Sequence, residues 1–207
     1  MLRKFAIFLC CGFLSICTDA QNFGGGLILG LSTSQVGGDD LGGFHKAGLL
    51  VGAFTNKSIS ELLSFQMEMT YVQKGSDNPN MIDSEHNDYG QEDISSSYIE
   101  VPLLLQYHQN NMLKIEGGVQ LAYLINGYYN NENGEIPIYS VNPFIKYDFG
   151  LLLGIDYKYS ENISLNTRLS NSILPIGAED WDVVNSYYSS RKGKYNSVLN
   201  FAIHYNL

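Results

Sequence analysis

Apolar and polar side chains alternate with a period of two along most of this chain after residue 62. Six segments show the pattern, at 63–74, 98–108, 113–125, 146–159, 163–169 and 194–207. In the first of them, Phe65 and Met67 alternate with Gln66 and Glu68. Because successive side chains of a β-strand point to opposite faces, the alternation predicts six strands with one apolar and one polar face.

Two earlier segments, 23–34 and 45–56, are rich in glycine and follow the same pattern less strictly. Leu27, Leu29 and Leu31 take alternate positions in the first segment, and Leu49 and Val51 do so in the second. We predict that both are strands, which brings the total to eight, an even number.

The connections between these strands alternate between short and long. The short ones are predicted at Asn56-Lys57-Ser58, Gln109-Asn110-Asn111 and Ser160-Glu161-Asn162, and the long ones at 35–44, 76–97, 127–142 and 174–193. Bacterial outer-membrane barrels have short periplasmic turns and long external loops. The pattern therefore predicts an all-β fold, an eight-stranded antiparallel up-and-down transmembrane β-barrel in the bacterial outer membrane, with periplasmic termini.

The charged residues of the last six strands all fall on one face. The apolar positions carry no charge, whereas the polar positions carry eleven charged residues: Glu68, Lys74, Glu100, Lys114, Glu116, Lys146, Asp148, Asp156, Lys158, Arg168 and Lys194. A soluble sandwich or lipocalin-like barrel would turn this set outward. Two observations favour lipid instead: the apolar faces are too bulky for a small interior, and a lipid-facing charge costs roughly 2–4 kcal/mol at mid-bilayer.

We expect the charged set to form a structural network inside the barrel. Six cations and five anions make the interior nearly neutral, and an eight-stranded barrel is only wide enough for its own side chains or one small ligand. The first ten of the eleven are the predicted lumen charge network. A narrow channel or small-ligand carrier is the alternative.

Two further features of the strands carry predictions. Tyrosines that lie near strand ends are expected to form an aromatic girdle at the headgroups, and these are Tyr71, Tyr98, Tyr107, Tyr157, Tyr159, Tyr195 and Tyr205. Pro102 has no N–H to donate to a neighbouring strand. It therefore predicts a local break in pairing between Glu100 and Leu103.

The amino-terminal segment has the layout of a secretory signal peptide. Arg3 and Lys4 precede an apolar stretch, and Thr18 and Ala20 are small residues before a cleavage point. We expect residues 1–20 to be removed, leaving a barrel domain at 21–207. Lipidation at Cys17 is the alternative, although the bulky residue before that cysteine disfavours it.

Removal of this segment changes the composition in two ways. All three cysteines, Cys10, Cys11 and Cys17, lie within it, so a disulfide framework and a thiolate site are excluded. The twelve basic and twenty-one acidic residues of the chain lose Arg3, Lys4 and Asp19, which leaves a net charge of −10. Such an acidic domain has no basic patch for nucleic acid.

The connection 76–97 is the main candidate for other chemistry. Asp83 and Glu85 have the alternate spacing of a calcium loop, but Asp88 stands where that motif requires glycine. His86 with Asp83 or Ser84 imitates the loop sites of outer-membrane hydrolases, without a positioned nucleophile. We therefore expect no catalytic residues, no metal site and no cofactor.

Several strand segments resemble the PorT-like outer-membrane β-barrel domain of Bacteroidota. They are Phe65-Gln66-Met67-Glu68-Met69-Thr70-Tyr71-Val72-Gln73-Lys74-Gly75, Tyr98-Ile99-Glu100-Val101-Pro102-Leu103-Leu104 and Asp148-Phe149-Gly150-Leu151. The resemblance covers essentially the whole chain after residue 20, and it implies that Pro102 is a family feature. It also implies a fold and a membrane rather than an activity.

Three hypotheses of function follow. The first is a structural, interaction or accessory barrel, with a secretion-associated role among those that the resemblance allows. Its expected partners are outer-membrane lipid, the barrel-insertion machinery during biogenesis and a protein partner in the membrane. The second is the narrow channel or ligand carrier, and the third is a loop-based hydrolase.

Overall fold

The computed structural model describes residues 23–37, 44–77, 93–131, 134–137, 145–177 and 194–207. Nine strands lie in these ranges: β1 (Phe23–Gly37), β2 (Lys46–Ser58), β3 (Leu63–Asp77), β4 (Asp93–His108), β5 (Leu113–Asn131), β6 (Gly134–Pro137), β7 (Tyr147–Lys158), β8 (Ile163–Ser172) and β9 (Tyr195–Asn206). No helix within these ranges has the length and apolar character needed to span a bilayer.

Eight of the strands close into one antiparallel barrel. Each pairs with its neighbours along the chain, β5 pairs with β7, and β1 pairs with β9 to complete the ring. This confirms the predicted eight-stranded antiparallel fold. Closure pairs both sides of every barrel strand, which is what a β-structure needs in lipid.

The ninth strand, β6, was not predicted. It pairs only with the far end of β5, where Tyr128 lies opposite Pro137. The predicted long connection 127–142 is thus partly regular structure, because β5 and β6 extend as a hairpin beyond the barrel wall.

Three four-residue turns join the strands at one end of the barrel, which we call the turn end; the opposite end is the loop end. The turns lie at 59–62, 109–112 and 159–162, so the first begins later than the predicted Asn56-Lys57-Ser58. The turn begins later because Lys57 still pairs with Phe23 of β1 and therefore stays in strand β2. A side-chain oxygen of Ser60, Asn110 or Ser160 accepts backbone N–H bonds within each turn.

The barrel is apolar outside and polar inside. The large exposed apolar side chains include Leu27, Leu29, Leu31, Phe65, Met67, Met69, Leu151, Leu153, Ile155, Phe201 and Ile203. Residues between them in the sequence are buried in the lumen, as Glu68 and Arg168 illustrate. The prediction that the apolar face of the strands points outward and the polar face inward is confirmed.

The tyrosines divide between the two faces. Tyr107, Tyr157 and Tyr205 are exposed near the turn end, and Tyr147 is exposed near the loop end. Tyr98 is the exception, since it is 0% exposed and points into the lumen. The prediction that Tyr98 belongs to an exterior girdle is wrong, because its strand parity determines its direction.

The pairing of β3 with β4 is interrupted at Pro102, as predicted. Met67 lies opposite Leu103 and Thr70 lies opposite Glu100, with no register pairs between them. On its other side, Pro102 remains opposite Gln120 of β5. Because a proline has no N–H to donate to a neighbouring strand, the pairing is broken on the β3 side of Pro102. This break lies at mid-lumen.

The glycines of β1 leave room for rings at the turn end of the lumen. A Cβ on Gly26 would collide with the backbone oxygen of Tyr205 in β9 and would lie 2.6 Å from the ring of Phe54. That ring lies 5.3 Å from the imidazole of His204, centroid to centroid. Glycine at this position therefore allows Phe54 and His204 to fill the barrel beside β1.

Candidate functional site

The polar face of the strands converges in the lumen as three clusters of ionic side chains. The central cluster is Arg168 with Glu68 and Glu116. The loop-end cluster is Lys74 with Glu100 and Asp148, and the turn-end cluster is Asp156 with Lys114 and His204.

The central cluster ties three strands together across the lumen. Arg168 Nη1 and Nη2 donate to the two carboxylate oxygens of Glu68 at 2.8 and 2.9 Å, and Arg168 Nε donates to Glu116 Oε1 at 2.8 Å. Arg168 lies on β8, Glu68 on β3 and Glu116 on β5. Such two-pronged guanidinium contacts are strong and directional, so they fix the cross-section of the barrel.

Neutral amides extend the central cluster. Gln66 Nε2 donates to Glu68 Oε1 at 2.7 Å, and Asn166 Nδ2 donates to Glu116 Oε1 at 2.9 Å. Gln106 Nε2 donates to Glu116 Oε2 at 3.0 Å. These bonds supply donors that the two carboxylates need once they leave water.

A hydroxyl continues this chain toward the turn end. Ser64 Oγ donates to Gln106 Oε1 at 3.1 Å and lies 2.8 Å from His108 Nε2. Ser64 is buried, so the Ser64–His108 pair is part of the lumen packing rather than an accessible nucleophile.

The loop-end cluster is built around a fully buried lysine. Lys74 Nζ contacts Glu100 and lies 3.6 Å from Asp148 Oδ2, which also accepts a hydrogen bond from Asn196 Nδ2 at 3.0 Å. The ammonium lies 5.1 Å from the centroid of the Tyr98 ring. The inward tyrosine thus provides a cation–π face for the lysine.

The turn-end cluster is more open to solvent. Asp156 lies 3.7 Å from Lys114 Nζ and 3.3 Å from His204 Nδ1. The side chain of Lys114 is 23% exposed, whereas those of Asp156 and His204 are buried.

The structure places the ten predicted network residues in three situations. Seven are buried in the lumen: Glu68, Lys74, Glu100, Glu116, Asp148, Asp156 and Arg168. Lys114 is half-buried against Asp156. Lys146 and Lys158 are exposed, which corrects the prediction for both, because they flank or end β7 outside the enclosed length of the lumen.

The charge balance of the charged set stays close to neutral once Lys146 and Lys158 are removed from it. Among the described residues of the set, five buried carboxylates face Lys74, Arg168 and the half-buried Lys114 and Lys194, a formal charge of −1. The three side chains of the central cluster sum to a formal charge of −1, and so do the three of the loop-end cluster. The amides Gln66, Gln106, Asn166 and Asn196 were outside the predicted network, although their strand parity already marked them as inward.

The acidic connection lies outside the described residues for the most part. Asp83, Ser84, Glu85, His86 and Asp88 all fall in the segment 78–92. Within the part of the chain that the structure describes, no three His, Cys, Asp or Glu side chains are arranged to hold a metal ion.

Solved barrels share this architecture. Ail, the attachment invasion locus protein of Yersinia pestis, superposes with a TM-score of 0.52 at 9% identity, covering 89% of this chain and 98% of Ail. Ail in complex with the heparin analogue sucrose octasulfate gives a TM-score of 0.50 at 9% identity, covering 90% and 99%. Neisserial surface protein A gives 0.48 at 13% identity, covering 90% and 97%. At 9% identity the two superpositions on Ail show the fold alone.

Sequence comparison provides the family. No curated protein matches the chain at a significant level. A family model described as an outer membrane protein beta-barrel domain matches residues 20–176. With the closed barrel and its apolar exterior, this match establishes that the chain belongs to the outer membrane protein beta-barrel domain family.

Proposed function

We propose that this protein is a non-catalytic structural or interaction barrel of the bacterial outer membrane, which acts through the rim at its loop end. The observation that carries the proposal is the filled lumen. Ion pairs and amides from facing strands cross it at three levels, which leaves little free space for a diffusing solute.

The orientation we propose places the turn end and both chain termini in the periplasm, after removal of residues 1–20 as a signal peptide. The long connections then face the exterior. Thirteen of the twenty acidic residues that follow residue 20 lie in the segments 35–44, 76–97, 127–142 and 174–193. A partner at this acidic rim would present a cationic surface.

This charge distinguishes the proposed partner from the ligand crystallised with Ail. Sucrose octasulfate is a polyanion, and an acidic rim repels polyanions. A protein partner in the membrane and an accessory, secretion-associated role are consistent with the PorT-like strand motifs. Those motifs also underlie the finer proposal that the chain belongs to the PorT-like subgroup.

Site-specific photocrosslinking from native outer membranes tests the interaction role. Probes placed in 35–44 and 76–97 should capture one reproducible membrane protein, and a matched probe at Leu153 on the lipid-facing wall should not. Replacing Asp83 and Glu85 with asparagine and glutamine should weaken the capture. Absence of any reproducible partner at the acidic rim would overturn the interaction role.

Planar-bilayer recording tests the filled lumen. The purified barrel should insert without discrete conductance steps, because three layers of side chains obstruct the axis. Steady single-channel conductance of the wild-type protein would overturn the structural role in favour of a channel. Turnover of an ester or lipid substrate that His86→Ala abolishes would favour a hydrolase.

A further inference from the structure

Asn126 and Gly127 form an asparagine–glycine pair in β5 at the loop end of the barrel. The side chain of Asn126 is exposed. The pair lies just beyond Tyr123, which is the last residue of β5 in register with β7. Farther along, β5 continues to Asn131 and pairs with β6. Asn126 and Gly127 are therefore at the base of the β5–β6 hairpin, beside the connection 127–142 of the acidic rim.

The pairing of β5 with β4 is irregular at this point. Tyr98 lies opposite Leu124, whereas Ser97 lies opposite Asn126, so β5 has one residue more than β4 over this step. Such a bulge disrupts the ladder locally and bends the strand. A regular strand holds each side chain roughly perpendicular to the sheet, which keeps an asparagine side chain away from the amide that follows it. The bulge relaxes this restraint at Asn126.

The hydrogen bond between the two residues brings a nucleophile and an electrophile together. Gly127 N donates to Asn126 Oδ1 at 2.9 Å. Because Oδ1 is bonded to Cγ, this contact also brings the Gly127 nitrogen close to the carboxamide carbon and polarises the carbonyl group. Glycine has no Cβ to obstruct the approach. Holding two reacting groups in position is a main source of rate acceleration.

We propose that Asn126 is a site of spontaneous deamidation through a cyclic imide formed with Gly127. The Gly127 nitrogen loses its proton to a hydroxide ion and attacks Asn126 Cγ, so that an N–Cγ bond forms. The Cγ–Nδ2 bond then breaks, and Nδ2 leaves as ammonia after taking a proton from water, which regenerates hydroxide. A water molecule adds to either carbonyl group of the imide and opens the ring to aspartate or isoaspartate.

The modification changes the loop end in two ways. Both products carry a carboxylate in place of a neutral amide, which adds a negative charge beside the acidic rim at neutral pH. Isoaspartate also routes the main chain through its side chain and so adds a methylene group to the backbone of β5. That extra length shifts the pairing of Gly127 with Ser96 and the hairpin beyond it.

The test compares deamidation of the folded barrel with that of the urea-unfolded chain in the same mildly alkaline buffer. Digestion and electron-transfer fragmentation locate the modified residue by mass, which separates Asn126 from the second asparagine–glycine pair of the sequence, Asn133-Gly134. Asn126 should deamidate at least as fast in the folded barrel as in the unfolded chain, because the fold holds the two groups together. A slower rate in the folded barrel would overturn the proposal, since the fold would then protect the residue.

Asn171 provides a matched control on another strand. It is also exposed near the loop end, but it lies opposite Leu151 and Ser197 in regular pairing, and its Oδ1 accepts a hydrogen bond from Ser197 Oγ at 2.7 Å. Ser172→Gly gives Asn171 the same following residue as Asn126. In that variant, Asn171 should deamidate roughly tenfold more slowly than Asn126. A rate at Asn171 equal to or above that at Asn126 would overturn the proposal, because the sequence alone would then determine the reactivity.

Discussion

Replacing Arg168 with methionine removes the guanidinium that holds Glu68 and Glu116 together. The side chain of Arg168 is 7% exposed and those of its two partners are at most 1% exposed, so water cannot replace the lost donors without rearrangement. Breaking a buried pair by removing one partner costs about 3–5 kcal/mol. We expect the free energy of unfolding to fall by that amount.

The assay is equilibrium unfolding of the refolded barrel in lipid vesicles, with the melting temperature as a second readout. The expected loss corresponds to a fall of roughly 6–20 °C in melting temperature. The matched control is Lys158→Met, which removes an exposed cation from the neighbouring strand β7. It should change the free energy of unfolding by less than about 0.5 kcal/mol.

A triple variant with no charge in the central cluster separates two causes of the lost stability, unbalanced charge and lost packing. Combining Arg168→Met with Glu68→Gln and Glu116→Gln should regain at least about 2 kcal/mol of the loss, because no uncompensated carboxylate then stays buried. A loss below about 1 kcal/mol for Arg168→Met, or a triple variant no more stable than Arg168→Met, would refute the reasoning.

Three further predictions concern the wall and the turns. Leu153→Arg places a charge on the exterior, where Leu153 is 65% exposed, and it should lower the free energy of unfolding in vesicles by about 2–4 kcal/mol. The control Ser58→Arg, at the turn end, should lower it little. Equal losses for the two variants by urea titration would contradict a lipid-facing wall. Gly26→Ala drives a Cβ against the backbone oxygen of Tyr205 and toward the ring of Phe54, and it should cost about 1–3 kcal/mol. An unchanged urea midpoint would show that both the β1–β9 backbone and the ring shift freely to accommodate the methyl group. Ser60→Ala removes the acceptor of the Leu62 and Leu63 N–H groups and should cost about 0.5–1.5 kcal/mol, whereas no measurable loss would mean that water replaces the hydroxyl.

Strand parity predicted most of the fold because it depends only on which face a side chain takes. Tyr98 shows how far the rule extends. Its residue type suggested a membrane girdle, yet its parity placed it inward beside Lys74. The alternation of Phe65 and Met67 with Gln66 and Glu68 likewise predicted which side chains face the exterior and which join the central cluster.

Parity contains no information about depth along the barrel axis. Lys146 and Lys158 share the parity of Asp148 and Asp156 but lie at the ends of β7, where solvent reaches them. Because these two lysines lie outside the enclosed lumen, carboxylates outnumber cations among the buried side chains by more than parity alone predicts. The pairing of β5 with β6 was also missed, since it depends on an extension beyond the barrel that no local periodicity marks.

The first turn shows a further limit of local sequence signals. Asn56, Lys57 and Ser58 have the composition of a turn, but β1 supplies paired partners for Asn56 and Lys57 and keeps them in the strand. The chain turns instead at 59–62, where Ser60 supplies the acceptor. A pairing partner distant in sequence therefore decided the boundary.

Spin-label accessibility along β7 in lipid vesicles tests the outward apolar face most directly. Single cysteines at Leu151, Leu152, Leu153 and Ile155 carry the label, and collision with oxygen in the membrane is compared with collision with a water-soluble nickel complex. Labels at Leu151, Leu153 and Ile155 should collide strongly with oxygen and weakly with nickel, and the label at buried Leu152 should collide weakly with both. Strong nickel collision at Leu151, Leu153 and Ile155 would contradict a barrel whose apolar face meets lipid.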